Sequence, residues 1–111
     1  MLKRINRLKK KKEFSFVYRR GKSFNTKYLS LYVCNTRLKN SKFGFSISNK
    51  VGNSVVRHKI KRRLSEILKN EISKLPLNNY IFVVKIGCET LNFNELTIQI
   101  ENLLEKIKNE K

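Results

Sequence analysis

Residues 50–68 read KVGNSVVRHKIKRRLSEIL, and their pattern organises the rest of the chain. Gly52 and Asn53 give a turn signal, and Asn53 or Ser54 can cap a helix. Val56, Ile60, Leu64 and Ile67 then recur at spacings of four, four and three, which predicts an amphipathic helix. At about 100° per residue, Arg57 and Lys61 flank one edge of the apolar stripe. Lys59 and Arg63 flank the other, and His58 and Arg62 project away from it. Between Lys50 and Arg63 stand six Lys or Arg residues and no acid. A rigid rod of that charge is suited to lie against a polyanion.

The helix is predicted over residues 54–75, where Pro76 stops it. Ahead of it, residues 27–34 (KYLSLYVC) and 43–48 (FGFSIS) alternate in the period of a strand. A polar turn over residues 35–41 joins them, which predicts an antiparallel hairpin. Leu29, Leu31 and Val33 face one way, and Tyr28, Ser30, Tyr32 and Cys34 the other. In the second strand Phe43, Phe45 and Ile47 share a face, with Gly44, Ser46 and Ser48 opposite. Beyond the helix, residues 80–86 (YIFVVKI) form a nearly unbroken apolar run, as in a central strand covered on both faces. Strand, long helix and strand imply a βαβ crossover, so residues 43–48 and 80–86 should be parallel neighbours.

Two further helices are legible. Residues 13–20 place Phe14, Val17 and Tyr18 on one face, and Gly21 ends the segment. Residues 92–108 open on Asn92 and Glu95, a capping-box pair, and carry a core stripe of Leu96, Ile100, Leu103 and Ile107. The expected architecture is α+β, a two-layer α/β sandwich in the order α-β-β-α-β-α. At 111 residues the chain is one domain. Residues 1–12 hold seven basic residues and no acid, and read as a basic, flexible N-terminal arm that orders on phosphates.

The formal charge is +18, and it is unevenly placed. Residues 1–63 carry a net +19, whereas residues 64–111 carry −1. Self-repulsion on that scale is relieved by an anionic partner, nucleic acid first. The first half is therefore the binding half. Tyr28 and Tyr32 stand beside the small residues of the hairpin, Ser46 among them. With Phe14 and Tyr18 along one border, they would floor a groove. Aromatic planes stack unpaired bases at about 1–3 kcal/mol each.

Catalytic groups are scarce. His58 is the one histidine, aspartate is absent, and the glutamates cluster in the second half. No phosphate-binding glycine loop occurs. Cys34 and Cys88 sit in or beside apolar runs, as buried free thiols do, and with one His they match no zinc spacing. We expect no catalytic or metal-ligating residue, no cofactor held by the protein alone, no small-molecule substrate and no membrane. Without a secretory or membrane-length apolar stretch, the expected compartment is the cytoplasm.

These stretches resemble one family, the protein subunit of bacterial ribonuclease P. The likeness covers nearly the whole chain and is strongest over residues 7–68. It runs through RLKKKKEF, FVYRRG and FGFSISNKVGNSV to VVRHKIKRRLSEIL. The family's hallmark is an Asn-Arg-x-Lys-Arg-x-x-Arg run after a Gly-Asn-Ala/Ser-Val turn. Lys61 and Arg62 match its Lys-Arg, residues 52–55 match the turn, and Arg57 fits the basic residue just before the run. His58 stands where the family has Asn, Lys59 where it has Arg, and Ser65 where it has the last Arg. Arg63 is a nearby substitute for that last charge.

The resemblance implies that the chain binds a large catalytic RNA, whose magnesium-dependent active site cleaves the 5′ leader from precursor tRNA. Lys50, Arg57, His58, Lys59, Lys61, Arg62 and Arg63 would contact the catalytic RNA. Phe14, Tyr18, Tyr28, Tyr32 and Ser46 would line the leader groove. It also implies a left-handed βαβ crossover, against the general rule. Composition alone equally allows a small basic RNA-binding protein of ribosomal type with no role in cleavage.

Overall fold

A computed structural model describes residues 2–35 and 39–109. Helix α1 spans Lys11–Arg20. Strands β1 (Lys22–Asn25), β2 (Leu29–Asn35) and β3 (Lys42–Ile47) follow. Helix α2 (Ser54–Lys69), strand β4 (Asn78–Val84) and helix α3 (Phe93–Asn109) complete the order. The sheet runs β1-β2-β4-β3. β3 and β4 are parallel, with Phe43 beside Tyr80 and Phe45 beside Phe82, so the crossover pairs the strands expected from the sequence.

The expected hairpin between residues 27–34 and 43–48 does not form. β4 lies between those two strands and pairs antiparallel with β2, Leu31 opposite Phe82. An apolar strand with both faces covered needs hydrogen-bonding neighbours on both edges, and the central place supplies them. Residues 36–38 of the expected turn lie outside the described residues. β2 forms its hairpin instead with β1, whose four residues are too few to show an alternation.

Alternation along β4 divides the interior in two. Tyr80, Phe82 and Val84 join Leu29, Leu31 and Phe43 under α2 and α3. Ile81 faces the opposite way and packs with Val17 of α1, Cys34 and Leu8. The sheet and the α2–α3 layer form the sandwich expected from sequence, and α1 crosses part of the other face. Tyr80 stacks on Phe43 with centroids 4.9 Å apart. Its hydroxyl donates to the Pro76 carbonyl at 2.7 Å, and burial pushes its pKa up.

The long helix obeys its stripe: Ile60, Leu64 and Ile67 are buried, joined by Leu68. Asn53 caps it, accepting from the Val56 N–H at 3.0 Å. It ends at Lys69 rather than near residue 75. Residues Ile72–Lys74 form a 3-10 turn that brings Ile72 and Leu75 onto the core. Asn70 and Ser73, poor helix formers, sit at the change. α3 begins as expected, with Asn92 and Glu95 each accepting from the other's backbone N–H. Gly21 follows α1 with φ −82°, so it serves by close approach rather than by left-handed geometry. A Cβ there would meet the Val17 and Val33 carbonyl oxygens at 2.5 and 2.6 Å.

The N-terminal residues are docked rather than loose. Leu2 is 3% exposed and Leu8 7%. Asn6 Nδ2 donates to the Ser41 carbonyl at 2.8 Å, and the Leu8 N–H to the Phe43 carbonyl at 2.9 Å. This segment covers part of the outer edge of β3, an edge otherwise open to mispairing. Leu8→Ala should therefore cost about 2–3 kcal/mol of stability, read as a lower urea midpoint; a midpoint equal to wild type would mean that the segment is not held.

Candidate nucleic-acid interface

Helical spacing turns Phe14, Val17 and Tyr18 toward the sheet, where they take different positions. Val17 is fully buried. Phe14 lies on Gly44 of β3, where a Cβ would sit 2.5 Å from its ring. Only the absent side chain lets the ring rest on the strand. Tyr18 meets Tyr32 edge to face, centroids 4.9 Å apart, and Phe14 at 6.5 Å. Tyr18 is 39% exposed, and Phe14 and Tyr32 are half-buried, so the ring cluster is open to solvent. Ser46, two residues on from Gly44, shares its face, is half-buried and has Val83 of β4 beside it.

Tyr28 does not join this group. Strand β2 starts only at Leu29, after a turn in which Thr26 Oγ1 accepts from the Tyr28 and Leu29 N–H groups. Tyr28 thus falls outside the strand alternation and packs against the core beneath α2 and α3. Its ring lies beside Gly87, with the Lys27 ammonium 5.5 Å from its centroid.

α1 is held over the sheet at its N-terminus. Glu13 accepts from the Lys10 N–H at 3.1 Å and pairs with Lys42 Nζ at 3.3 Å. Partial desolvation raises the Glu13 pKa, but the Lys10 and Lys9 backbone N–H groups and Lys42 outweigh it and leave it below the ordinary value. Lys42 belongs to β3, so this pair ties α1 to the strand edge.

The basic residues of α2 separate into two sets about the helix. Arg57, His58 and Lys61 border a hollow with Phe45 and Ile47 on the β3 side. Lys59, Arg62 and Arg63 border another beside α3. His58, Lys59, Lys61 and Arg62 are exposed, as is Lys50 in the preceding turn. Two arginines also serve the fold: Arg57 Nε donates to the Gly52 carbonyl and Arg63 Nη1 to the Leu91 carbonyl, both at 3.1 Å. Ser65 is buried, its hydroxyl donating to the Lys61 carbonyl at 2.8 Å. Arg63 turns toward α3, so it does not stand in for a charge at position 65. Arg7 does come near: with Lys9, Lys61, Ser65 and Phe14 it lines a cleft of about 230 Å3 across the β3 edge.

Arg7 and Lys9, read from the sequence only as part of a flexible basic arm, line that cleft. They stand there because residues 2–8 dock beside β3, the strand that carries Lys42. The one signal was Leu2 and Leu8 punctuating a basic run. Desolvation lowers the Lys9 pKa, as do the charges of Arg4, Arg7 and Lys42. Crowded cations of this kind favour a bound anion.

The thiols lie on opposite faces of the sheet, Cys34 in the cluster under α1 and Cys88 in the other. Burial pushes the Cys88 thiol up to about 11, so it remains protonated at neutral pH. No group of three or more His, Cys, Asp or Glu side chains able to hold a metal occurs among the described residues.

Residues 2–108 match the family model Ribonuclease P. The chain belongs to the ribonuclease P protein family. A "Ribonuclease P protein component" of Clostridium botulinum is 39% identical over 103 residues, covering 91% of this chain and 93% of the relative. The ribonuclease P protein of Staphylococcus aureus superposes with a TM-score of 0.89 at 28% identity, over 93% of this chain and 95% of that one. The Thermotoga maritima ribonuclease P protein shares the fold, with a TM-score of 0.82 at 21% identity over 90% and 96% of the two chains.

The Glu13 pair predicts a pH dependence. A carboxylate depressed in the folded state contributes stability above its unfolded pKa, and that contribution is lost as pH falls through the folded value. Glu13→Gln should thus lower the melting temperature at pH 7, and the gap to wild type should close on acidification below the ordinary carboxylate range. A gap independent of pH would assign the effect to hydrogen bonding alone.

Proposed function

We propose that this chain is the protein subunit of ribonuclease P, which binds the catalytic RNA through α2 and holds the 5′ leader of precursor tRNA on the α1 side of the sheet. One observation carries this reading: Phe14 of the ring cluster and Lys61 of the basic helix line a single cleft. A leader strand on the open rings would lie within reach of the helix that grips the catalytic RNA. The catalytic RNA, with its magnesium ions, cleaves the leader in the cytoplasm, and the protein aligns the two RNAs. Phosphate–phosphate repulsion opposes their approach, and a strongly cationic half-domain between them releases counterions and offsets it.

Exposure and position support a role for each residue. Lys50, His58, Lys59, Lys61 and Arg62 present donors on the exposed side of the basic element. Arg57 and Arg63 reach the RNA with the donors left after their backbone bonds. Tyr18 and Tyr32 offer ring faces to unpaired leader bases, and Phe14 sets the end of the platform over Gly44. Ser46 and Val83 leave a low floor beside it. A generic RNA-binding protein would need the phosphate-gripping helix but would give the open ring cluster no work. No helix among the described residues is long and apolar enough to cross a membrane.

Reconstitution with a bacterial ribonuclease P RNA at low magnesium should stimulate 5′ processing of precursor tRNA; no stimulation would leave only the generic reading. Phe14→Ala or Tyr32→Ala should weaken precursor tRNA binding by about five- to tenfold while leaving mature tRNA nearly unchanged, given the energy of one stacked base. Equal losses on the two substrates would remove the leader from this groove. Lys61→Ala and Arg62→Ala should each reduce the salt slope of catalytic-RNA binding by about one. Unaltered slopes in a salt titration would take α2 out of the interface.

A further inference from the structure

Phe93 opens α3 and is 42% exposed, although the cap of that helix is made by Asn92 and Glu95. The core contacts of this turn come from Leu91 and Leu96, which are buried, and Phe93 belongs to neither core cluster. Its ring instead lines an open cleft of about 450 Å3 with Lys59, Arg62, Arg63 and Glu66 of α2. Arg63 donates to the Leu91 carbonyl, which fixes the start of α3 against α2 and so holds the ring in place. Lys59 and Arg62 are exposed and have no side-chain partner among the described residues. Glu66, the one acid of the cleft, lies a turn beyond Arg62, leaving the end beside Lys59 and Arg62 cationic.

A lone exposed aromatic is ordinary on a protein surface. A flat ring fixed between unpaired cations has the form of a single-strand platform, in which the ring stacks a base and the cations take the flanking phosphates. This site is separate from the leader groove. It sits against α3, whereas Phe14, Tyr18 and Tyr32 lie under α1 on the other face of the sheet.

We propose that Phe93 stacks an unpaired base of the catalytic RNA, with Lys59 and Arg62 holding the adjoining phosphates. The inference rests on α2 being the docking helix for that RNA. It adds to that helix a base contact which phosphate binding does not supply. The contact discriminates unpaired from paired nucleotides, because a base inside a helix offers no free face to the ring.

The test is binding of the full chain to a bacterial ribonuclease P RNA across a salt series. Wild type, Phe93→Ala, Phe93→Leu, Phe93→Tyr and Arg62→Ala are compared, with urea unfolding of each. Phe93→Ala and Phe93→Leu should both weaken binding about tenfold, the worth of one stacked base. Phe93→Tyr should bind like wild type. The salt slope should stay unchanged in the Phe93 series, because stacking releases no counterions, while Arg62→Ala lowers it. Discrimination between precursor and mature tRNA should be the same in all Phe93 variants. Leucine binding as well as phenylalanine would overturn the proposal, since apolar bulk would then suffice. So would alanine binding as well as wild type. Wild type showing no salt-dependent binding would remove the α2 reading and this site with it, whereas normal salt-dependent binding that is indifferent to the residue at position 93 would remove this site alone.

Discussion

The structure depends on the burial of β4 on both of its faces. Tyr80, Phe82 and Val84 commit one side of the strand to α2 and α3. Ile81 commits the other to α1, with Val83 packed at the edge of the same cluster. Each face buries apolar area worth roughly 25 cal/mol per Å2, so neither layer can be given up cheaply. The strand must then be central, and β2 and β3 are driven apart to flank it. That separation sets the site. It places the Gly44 strand at the sheet edge, where α1, the N-terminal segment and α2 can all reach it.

The same constraint explains how a chain of net +18 stays folded. Its charges stand on the outside of elements whose inner faces are apolar, and fixed polar bonds position several of them. Arg57 and Arg63 donate to backbone carbonyls, while Lys42 pairs with the one acid of the first half, Glu13. What remains is an electrostatic load concentrated along α2 and the docked N-terminus. Interior packing supplies the rigidity and unpaired cations supply the attraction, so the two demands fall on different side chains.

Much of this was readable in the residues. The α2 stripe, the reciprocal Asn92–Glu95 cap and the parallel β3–β4 pair follow from periodicity and turn chemistry. The misses have two causes, non-local pairing and, at Tyr28, a local turn. Alternation says which side chains share a face but not which strand lies alongside, so β2 and β3 read as a hairpin until β4 came between them. Tyr28 fits the alternation of β2 on paper, yet the Thr26 turn removes it from the strand. Leu2 and Leu8 were hidden by the basic residues around them, and their docking brings Arg7 and Lys9 to the groove. The ring cluster of Phe14, Tyr18 and Tyr32 was anticipated because helical spacing and strand alternation each supply half of it. The small residue at Gly44 supplies the fit.

The shortness of α1 is what turns a covered sheet into a groove. Ten residues make a rod about 15 Å long, enough for three inward-facing side chains. Val17 spends its whole surface on the core, which anchors the helix. Phe14, one turn before it, and Tyr18, the residue after it, rest on the sheet and keep part of their rings in water. The open aromatic surface is thus a product of helix length and anchor position, and the Glu13–Lys42 pair and Gly21 set the two ends between which it is held.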